Sequence, residues 1–436
     1  MEADIKITKG MVLTMDESLT LYPEADVLIK GSKIVGIGKD SPAAARKTID
    51  ARGKLVMPGL INCHTHAAMT LFRGLADDLP LESWLNDVIF PLEKKYVDPE
   101  FLRVGSSLAA IEMIRSGTTA FTDMYFYEEA AAEALKPIGI RAFLGEGVLD
   151  FPTPDSPNAD DAFRRIEALN DKWGKDELIH PLIAPHAPYT CGPENLKKCR
   201  QLSEKLGLPL HIHLSETAGE VAQLKLKYGV SPVEHLERAG FLCPQLSAAH
   251  CVHLSKAEIE ILKKYDVKVA HCQESNMKLA SGWAPVVEMQ YAGLTVGLGT
   301  DGAASNNNLD LFDEMDAVAK VHKLVRNDPT VMDAKTVLKM ATSDAARVML
   351  KEKEIGSLKP GMTADIIILD LDRPHLTPLY NVYSHLVYSA GGSEVTTVII
   401  NGRMVMEDKK ILTTDERGIM DEANRIARRI NDETKS

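Results

Sequence analysis

The segment Leu55-Val56-Met57-Pro58-Gly59-Leu60-Ile61-Asn62-Cys63-His64-Thr65-His66 is a strand-sized apolar run that ends abruptly in two histidines. Leu55–Asn62 is expected to form a strand, and it opens a regular alternation. Downstream, short apolar segments at Thr118–Met124, Gly139–Gly147, Leu178–Pro185, Leu208–Leu214, Leu246–Val252, Val267–His271 and Thr295–Thr300 are separated by helical patterns. The clearest of these cover Pro99–Arg115, Glu128–Lys136, Pro193–Leu206, Lys256–Lys264, Asp310–Val321 and Asp333–Leu350. Eight strands alternating with helices are the pattern of a parallel sheet closed into a (β/α)8 TIM barrel, an α/β fold.

On either side of this alternation the texture changes to strands and tight turns. Before it lie Ile5-Lys6-Ile7, Ala25–Ile29 and Lys33–Gly38, with alternating apolar and polar residues. After it come Ala364–Leu369 and Thr397–Ile400, the latter turning at Asn401-Gly402, a strong hairpin signal. The two flanks, residues 1–56 and 355–415, are expected to join as a small discontinuous β-sandwich domain. Residues 57–354 would be the barrel and 416–436 a C-terminal helix.

Composition bounds the function. A formal net charge of −12 over 436 residues argues against a nucleic-acid partner, which needs clustered Lys and Arg. The longest apolar runs are far short of a membrane span, so no membrane partner is expected. The N-terminus shows no secretory pattern, and the six cysteines include no C-x-x-C pair. They are expected to be small buried hydrophobes in a cytoplasmic protein. A homo-oligomer is compatible with the sequence, which leaves the oligomeric state open.

The chemistry concentrates at strand ends. His64-x-His66 puts two imidazoles on one face at the C-terminal end of the first barrel strand, where barrel active sites form. Leu210-His211-Ile212-His213-Leu214-Ser215-Glu216 ends the fifth strand, with His213 the better ligand and His211 a deeper core histidine. Glu216 follows where a carboxylate can reach a substrate. His250 ends the sixth strand, and Asp301 the eighth, as oxygen ligand or proton acceptor. Singly, each is as compatible with a structural role. Together, four strand ends bearing His, Glu or Asp point to a metal centre.

Four stretches carry a family resemblance: Asn62–His66, Phe72-Arg73-Gly74-Leu75-Ala76-Asp77-Asp78, His211–Glu216 and Thr300-Asp301-Gly302-Ala303-Ala304-Ser305-Asn306-Asn307. Over essentially its whole length the chain resembles the amidohydrolase superfamily. Within it, the chain is similar to the S-adenosylhomocysteine/5′-methylthioadenosine deaminases and the 5′-deoxyadenosine deaminases. The resemblance implies that His64, His66, His213 and Asp301 hold one zinc ion, with another divalent transition metal able to replace it. It implies Glu216 as proton shuttle to a ring nitrogen, His250 as the group that orients or deprotonates the attacking water, and Glu93 and His186 as partners of the ribose hydroxyls. The implied reaction is hydrolytic deamination of the adenine ring of a 5′-modified adenosine, a small-molecule nucleoside substrate.

The segment from Met69 to Tyr96 is expected to fold over the mouth, with Trp84 covering the ligand or packing the segment down. Glu146 stands where some relatives place an arginine for the carboxylate of a homocysteine tail, and a glutamate there would repel that tail. Neutral tails, 5′-deoxyadenosine and 5′-methylthioadenosine, are therefore favoured. The competing readings are an aminohydrolase acting on guanine, a pterin or an s-triazine, and a non-catalytic assembly protein that keeps the barrel without the metal.

Overall fold

The computed structural model describes residues 2–434; the expected C-terminal helix runs over Glu416–Thr434, and Lys435 and Ser436 lie outside the described residues. The N-terminal strands are β1 (Ala3–Leu13), β2 (Leu21–Lys30), β3 (Lys33–Gly38), β4 (Ala45–Asp50) and β5 (Lys54–Pro58). Eight parallel strands follow: β6 (Leu60–Thr65), β7 (Thr118–Tyr125), β8 (Arg141–Val148), β9 (Ile179–Pro185), β10 (Leu210–Leu214), β11 (Leu246–His250), β12 (Lys268–His271) and β13 (Val296–Leu298). The chain ends in β14 (Ile366–Asp370), β15 (Val395–Ile400), β16 (Arg403–Glu407) and β17 (Lys410–Ile411) before its last helix.

Among the described residues, β6 to β13 form one sheet in sequential order. Its two edge strands meet where Asp301 N donates to His64 O (3.0 Å) and Thr300 N donates to Asn62 Oδ1 (3.1 Å). Gly299 makes this approach feasible, because a Cβ there would lie 2.9 Å from the His64 Cβ. The barrel seam is thus stitched by the residues on which the site depends.

The terminal strands form the second sheet, in the order β17-β16-β15-β14-β5-β1-β2-β3, with β4 also paired to β1. The run Ile366–Leu369 shows how one strand serves two cores. Ile366 and Ile368 join Ile7, Val27, Ile29 and Ile34 in the core of this sheet, whereas Ile367 and Leu369 face the larger core around the barrel. Successive side chains point to opposite faces, so an uninterrupted apolar strand is what two buried faces require. Each fully buried aliphatic chain contributes roughly 1.5–3 kcal/mol.

Three expectations need correction. Leu55–Asn62 is not one strand: Lys54–Pro58 pairs with β14 and β1 in the terminal sheet, and a separate strand, Leu60–Thr65, opens the barrel. Gly59 is the joint, for a Cβ there would collide with the Thr119 side chain, and its N–H leaves the strand direction to meet Asp365 O at 3.1 Å. Asp333–Leu350 is not one helix but two, Ala334–Met340 and Ser343–Val348, broken so that Ala341 O can accept from Ile61 N (2.9 Å) at the start of β6. Glu146 does not face the mouth. By strand parity Phe143, Gly145 and Gly147 point into the barrel, and Glu146 points outward, buried at 2% exposure, where it accepts from Glu128 N (3.1 Å). Its supposed repulsion of a substrate tail therefore has no structural basis.

Candidate active site

Strand ends deliver the candidate ligating groups, and backbone carbonyls orient two of the imidazoles. His66 Nδ1 lies 2.6 Å from Met124 O, and His213 Nδ1 lies 2.8 Å from His186 O. A carbonyl oxygen only accepts, so both Nδ1 atoms carry hydrogen, and in the neutral imidazole it is Nε2 that presents a lone pair. Those two nitrogens stand 3.2 Å apart. Asp301 Oδ1 lies 3.4 Å from His66 Nε2 and 3.4 Å from His64 Nε2, and the latter is a buried nitrogen without a hydrogen-bond partner. Burial pushes the His64 imidazole down to about 4, and it holds His213 well below the ordinary histidine value, so both are neutral at pH 7.

Lone pairs gathered this closely repel one another unless a cation lies among them. Nitrogen and oxygen ligands at ~2.0–2.1 Å around a tetrahedral ion stand about 3.3–3.4 Å from each other, and the His66–His213, His64–Asp301 and His66–Asp301 spacings match that separation. The donor set of imidazoles and one carboxylate suits zinc or a similar divalent ion. Ligand atoms of His64, His213 and His250 also lie within 4.8 Å of one another, so His250 faces the same centre.

Around this centre the remaining expected residues assemble. His250 Nδ1 donates to Asn276 Oδ1 (3.0 Å), which leaves Nε2 pointing inward, 3.9 Å from a Glu216 carboxylate oxygen. Burial works against a charged His250, yet the Glu216 and Asp301 carboxylates outweigh it and raise the imidazole above its ordinary value. Burial likewise raises Glu216, against the pull of His250. For Asp301, burial is outweighed by the histidines, which hold its carboxyl well below the usual range. Ser215, His250 and Asp301 all have left-handed backbones (φ 51°, 68° and 62°), a strained conformation common where active sites turn side chains inward.

Beyond the centre lies a partly open cavity lined by His66, Glu93, Met124, Tyr125, Gly147 and His186 together with Trp84, Phe90 and Leu149. Burial pushes Glu93 up to about 7 despite a 2.7 Å hydrogen bond from Tyr125 OH. His186 Nδ1 pairs with Thr190 Oγ1 (2.8 Å), and burial lowers its ring to about 3. Trp84 is 6% exposed and opens a π-helical turn, Trp84–Ile89, in the segment over the mouth, a kind of turn frequent at functional sites. Its buried Nε1 has no partner.

Two of the quoted stretches act as a clasp. Arg73 pairs with Glu112 and donates to Asn307 O (2.6 Å), while Lys278 reaches both Asp77 Oδ1 (2.5 Å) and the Asn307 side chain. The mouth segment is thereby tied to the loop that follows Asp301. Sequence reasoning missed several supports. Ser275 and Ser305 both donate to Asp301 Oδ2 (2.7 and 2.9 Å), which turns Oδ1 toward the histidines. Glu220 accepts from Ser215 N (2.9 Å) and Glu216 N (2.7 Å). Thr217-Ala218-Gly219-Glu220 has the capping-box spacing that would have flagged it. Nothing local marks Ser275.

All nine expected site residues, Trp84, Glu93, His186, His64, His66, His213, Glu216, His250 and Asp301, therefore converge on one end of the barrel. The profile of the amidohydrolase family matches residues 55–405. A 5-methylthioadenosine/S-adenosylhomocysteine deaminase from Syntrophobacter fumaroxidans is 48% identical over 432 residues, 98% of each chain. A 5′-deoxyadenosine deaminase from Methanosarcina mazei is 46% identical over 427 residues, again 98% of each. The crystal structure of an adenosine deaminase from Xanthomonas campestris with bound zinc superposes with a TM-score of 0.97 at 38% identity, covering 99% of both chains. With the profile spanning the barrel and relatives matching nearly end to end, the chain belongs to the amidohydrolase family.

Proposed function

We propose that this protein is a zinc-dependent aminohydrolase that converts the adenine ring of a 5′-modified adenosine to its inosine analogue and ammonia. The observation that carries it is the approach of His64, His66 and His213 ring nitrogens and Asp301 Oδ1 at one strand-end centre, beside a cavity holding Glu93 and His186. His64, His66, His213 and Asp301 would hold zinc there, and the ion would supply water acidified to a pKa of roughly 7.

The chain's own groups move the protons. Glu216, whose carboxyl is raised by burial, delivers a proton to ring N1 as the water oxygen bonds to C6. His250 and Asp301 take a proton from the water and return it to the amino group as the C6–N bond breaks. The water's second proton passes from the C6 oxygen back to Glu216 as the carbonyl forms, so the carboxyl is restored while N1 keeps the proton that Glu216 gave it. Each transfer through a placed group contributes about 10²–10⁴-fold. Glu93 and His186 hold the ribose hydroxyls, and Trp84 covers the sugar.

The tail preference rests on the cavities rather than on Glu146. The inner one contains neither Lys nor Arg. In the wider outer one, which holds Glu216, the sole cation among the described lining residues is Lys278, already engaged by Asp77 and Asn307. A homocysteine carboxylate finds no free partner, so 5′-deoxyadenosine and 5′-methylthioadenosine exceed S-adenosylhomocysteine in kcat/KM. A nucleoside substrate and six unpaired cysteines suit the cytoplasm.

Ammonia release from these nucleosides, adenosine, guanine, a pterin and an s-triazine, before and after zinc removal, tests the proposal. Turnover of the nucleosides alone, lost on chelation and restored by zinc, is expected. Turnover of free bases instead would replace it with the heterocycle reading, and no turnover by zinc-loaded protein would leave the assembly reading.

A further inference from the structure

His64 is the one expected ligand whose Nδ1 does not rest on a backbone carbonyl. It lies 2.8 Å from Nε2 of His211, and His211 Nδ1 lies 2.6 Å from Ser247 Oγ. Ser247 Oγ is in turn 3.3 Å from Leu210 O. His64 and His211 are fully buried, and His211 and Ser247 are register partners on the adjacent strands β10 and β11.

The chain of contacts admits two proton placements. In one, Ser247 donates to Leu210 O, accepts from His211 Nδ1–H, and leaves His211 Nε2 to accept from His64 Nδ1–H. His64 Nε2 is then a bare lone pair. In the other, Ser247 donates to His211, every proton shifts by one position, and His64 Nε2 carries hydrogen and cannot bind a metal. The Leu210 carbonyl, an acceptor only, favours the first placement.

We infer that Ser247 and His211 are positioning residues that hold His64 in its metal-binding tautomer, through a relay anchored on the Leu210 carbonyl. The inference rests on the reading of the centre as a zinc site. It gives His211, expected to be a core histidine, a task that its burial alone does not reveal. Partners of this kind behind a ligating histidine typically govern metal affinity by about ten- to a hundred-fold.

Zinc affinity of the purified protein, measured by competition with a fluorescent chelator, tests it without recourse to activity. Ser247→Ala is expected to weaken zinc binding about ten- to a hundred-fold. Ser247→Thr, which keeps the hydroxyl, should restore it, and the melting temperatures of the metal-free proteins should stay close together. Equal affinity in wild type and Ser247→Ala overturns the relay, as does a weakening that Ser247→Thr shares. Wild-type protein that binds no zinc overturns the metal reading beneath it, a result distinct from either.

Discussion

In the proposed reaction Glu216 carries a proton to a ring nitrogen, and burial favours that role by raising its carboxyl. Glu216→Gln keeps the shape and removes the proton transfer. Its kcat is expected to fall about 10²–10⁴-fold with zinc content unchanged, checked by steady-state rates beside metal analysis. Glu93 faces the opposite demand, since it accepts hydrogen bonds best when ionised. Burial raises it to about 7, so KM for a nucleoside should fall as pH rises through that value. Glu93→Gln should flatten the profile, and a wild-type KM indifferent to pH would remove Glu93 from the ribose site. The candidate ligands legible in the sequence, His64, His66, His213 and Asp301, share one property: each lies at or just past the end of a strand whose apolar run announces it. Ser275, Glu220 and the relay residue Ser247 act across elements, and a hydroxyl that donates to a carboxylate 26 residues away leaves no local trace.

Among the elements, Gly59 does most to separate the two sheets. Apolar residues run through it without interruption, which is why the sequence resembles one strand where the structure has two. Periodicity reports that a segment is buried, but not which sheet buries it. The same limit explains Glu146, whose position in β8 was plain while its direction depended on where the strand began. Gly59→Ala should cost about 1–3 kcal/mol or more through the collision with Thr119, measured by urea unfolding. An unchanged midpoint would mean that the joint tolerates a side chain. The helix break at Ala341 is likewise invisible locally, since its cause is the N–H of Ile61, far away in the chain.

For the whole molecule, buried ionisable groups set an unusual dependence of stability on pH. Glu93 and Glu220 are raised to about 7 by burial, and burial also raises Glu128, Glu146 and Glu314 well above the ordinary carboxyl value. Each keeps a proton in the folded chain that the unfolded chain has released, so their stabilisation is lost as pH rises through the folded values. Burial lowers His64 to about 4 and His180 and His186 to about 3, so the folded chain refuses protons that the unfolded chain accepts below about 6.5. Stability must then fall on the acid side as well. The metal-free protein is expected to melt highest slightly below neutrality and progressively lower toward about pH 8. Calorimetry across that range checks this, and a melting temperature still climbing at the alkaline end would contradict it.

The pairing of β5 with β14 also has a cost in time. Roughly three hundred residues separate the two strands, and a ribosome working at ~5–20 residues per second needs about 15–60 s to span them. Throughout that interval the newborn N-terminal strands display an open edge at β5, with Leu55, Val56 and Met57 along it, the kind of surface on which nascent chains stick to one another. Translation that stalls before Asp370 leaves this edge permanently unsealed, so truncated products of this protein are destined for chaperones or aggregates rather than for partial activity.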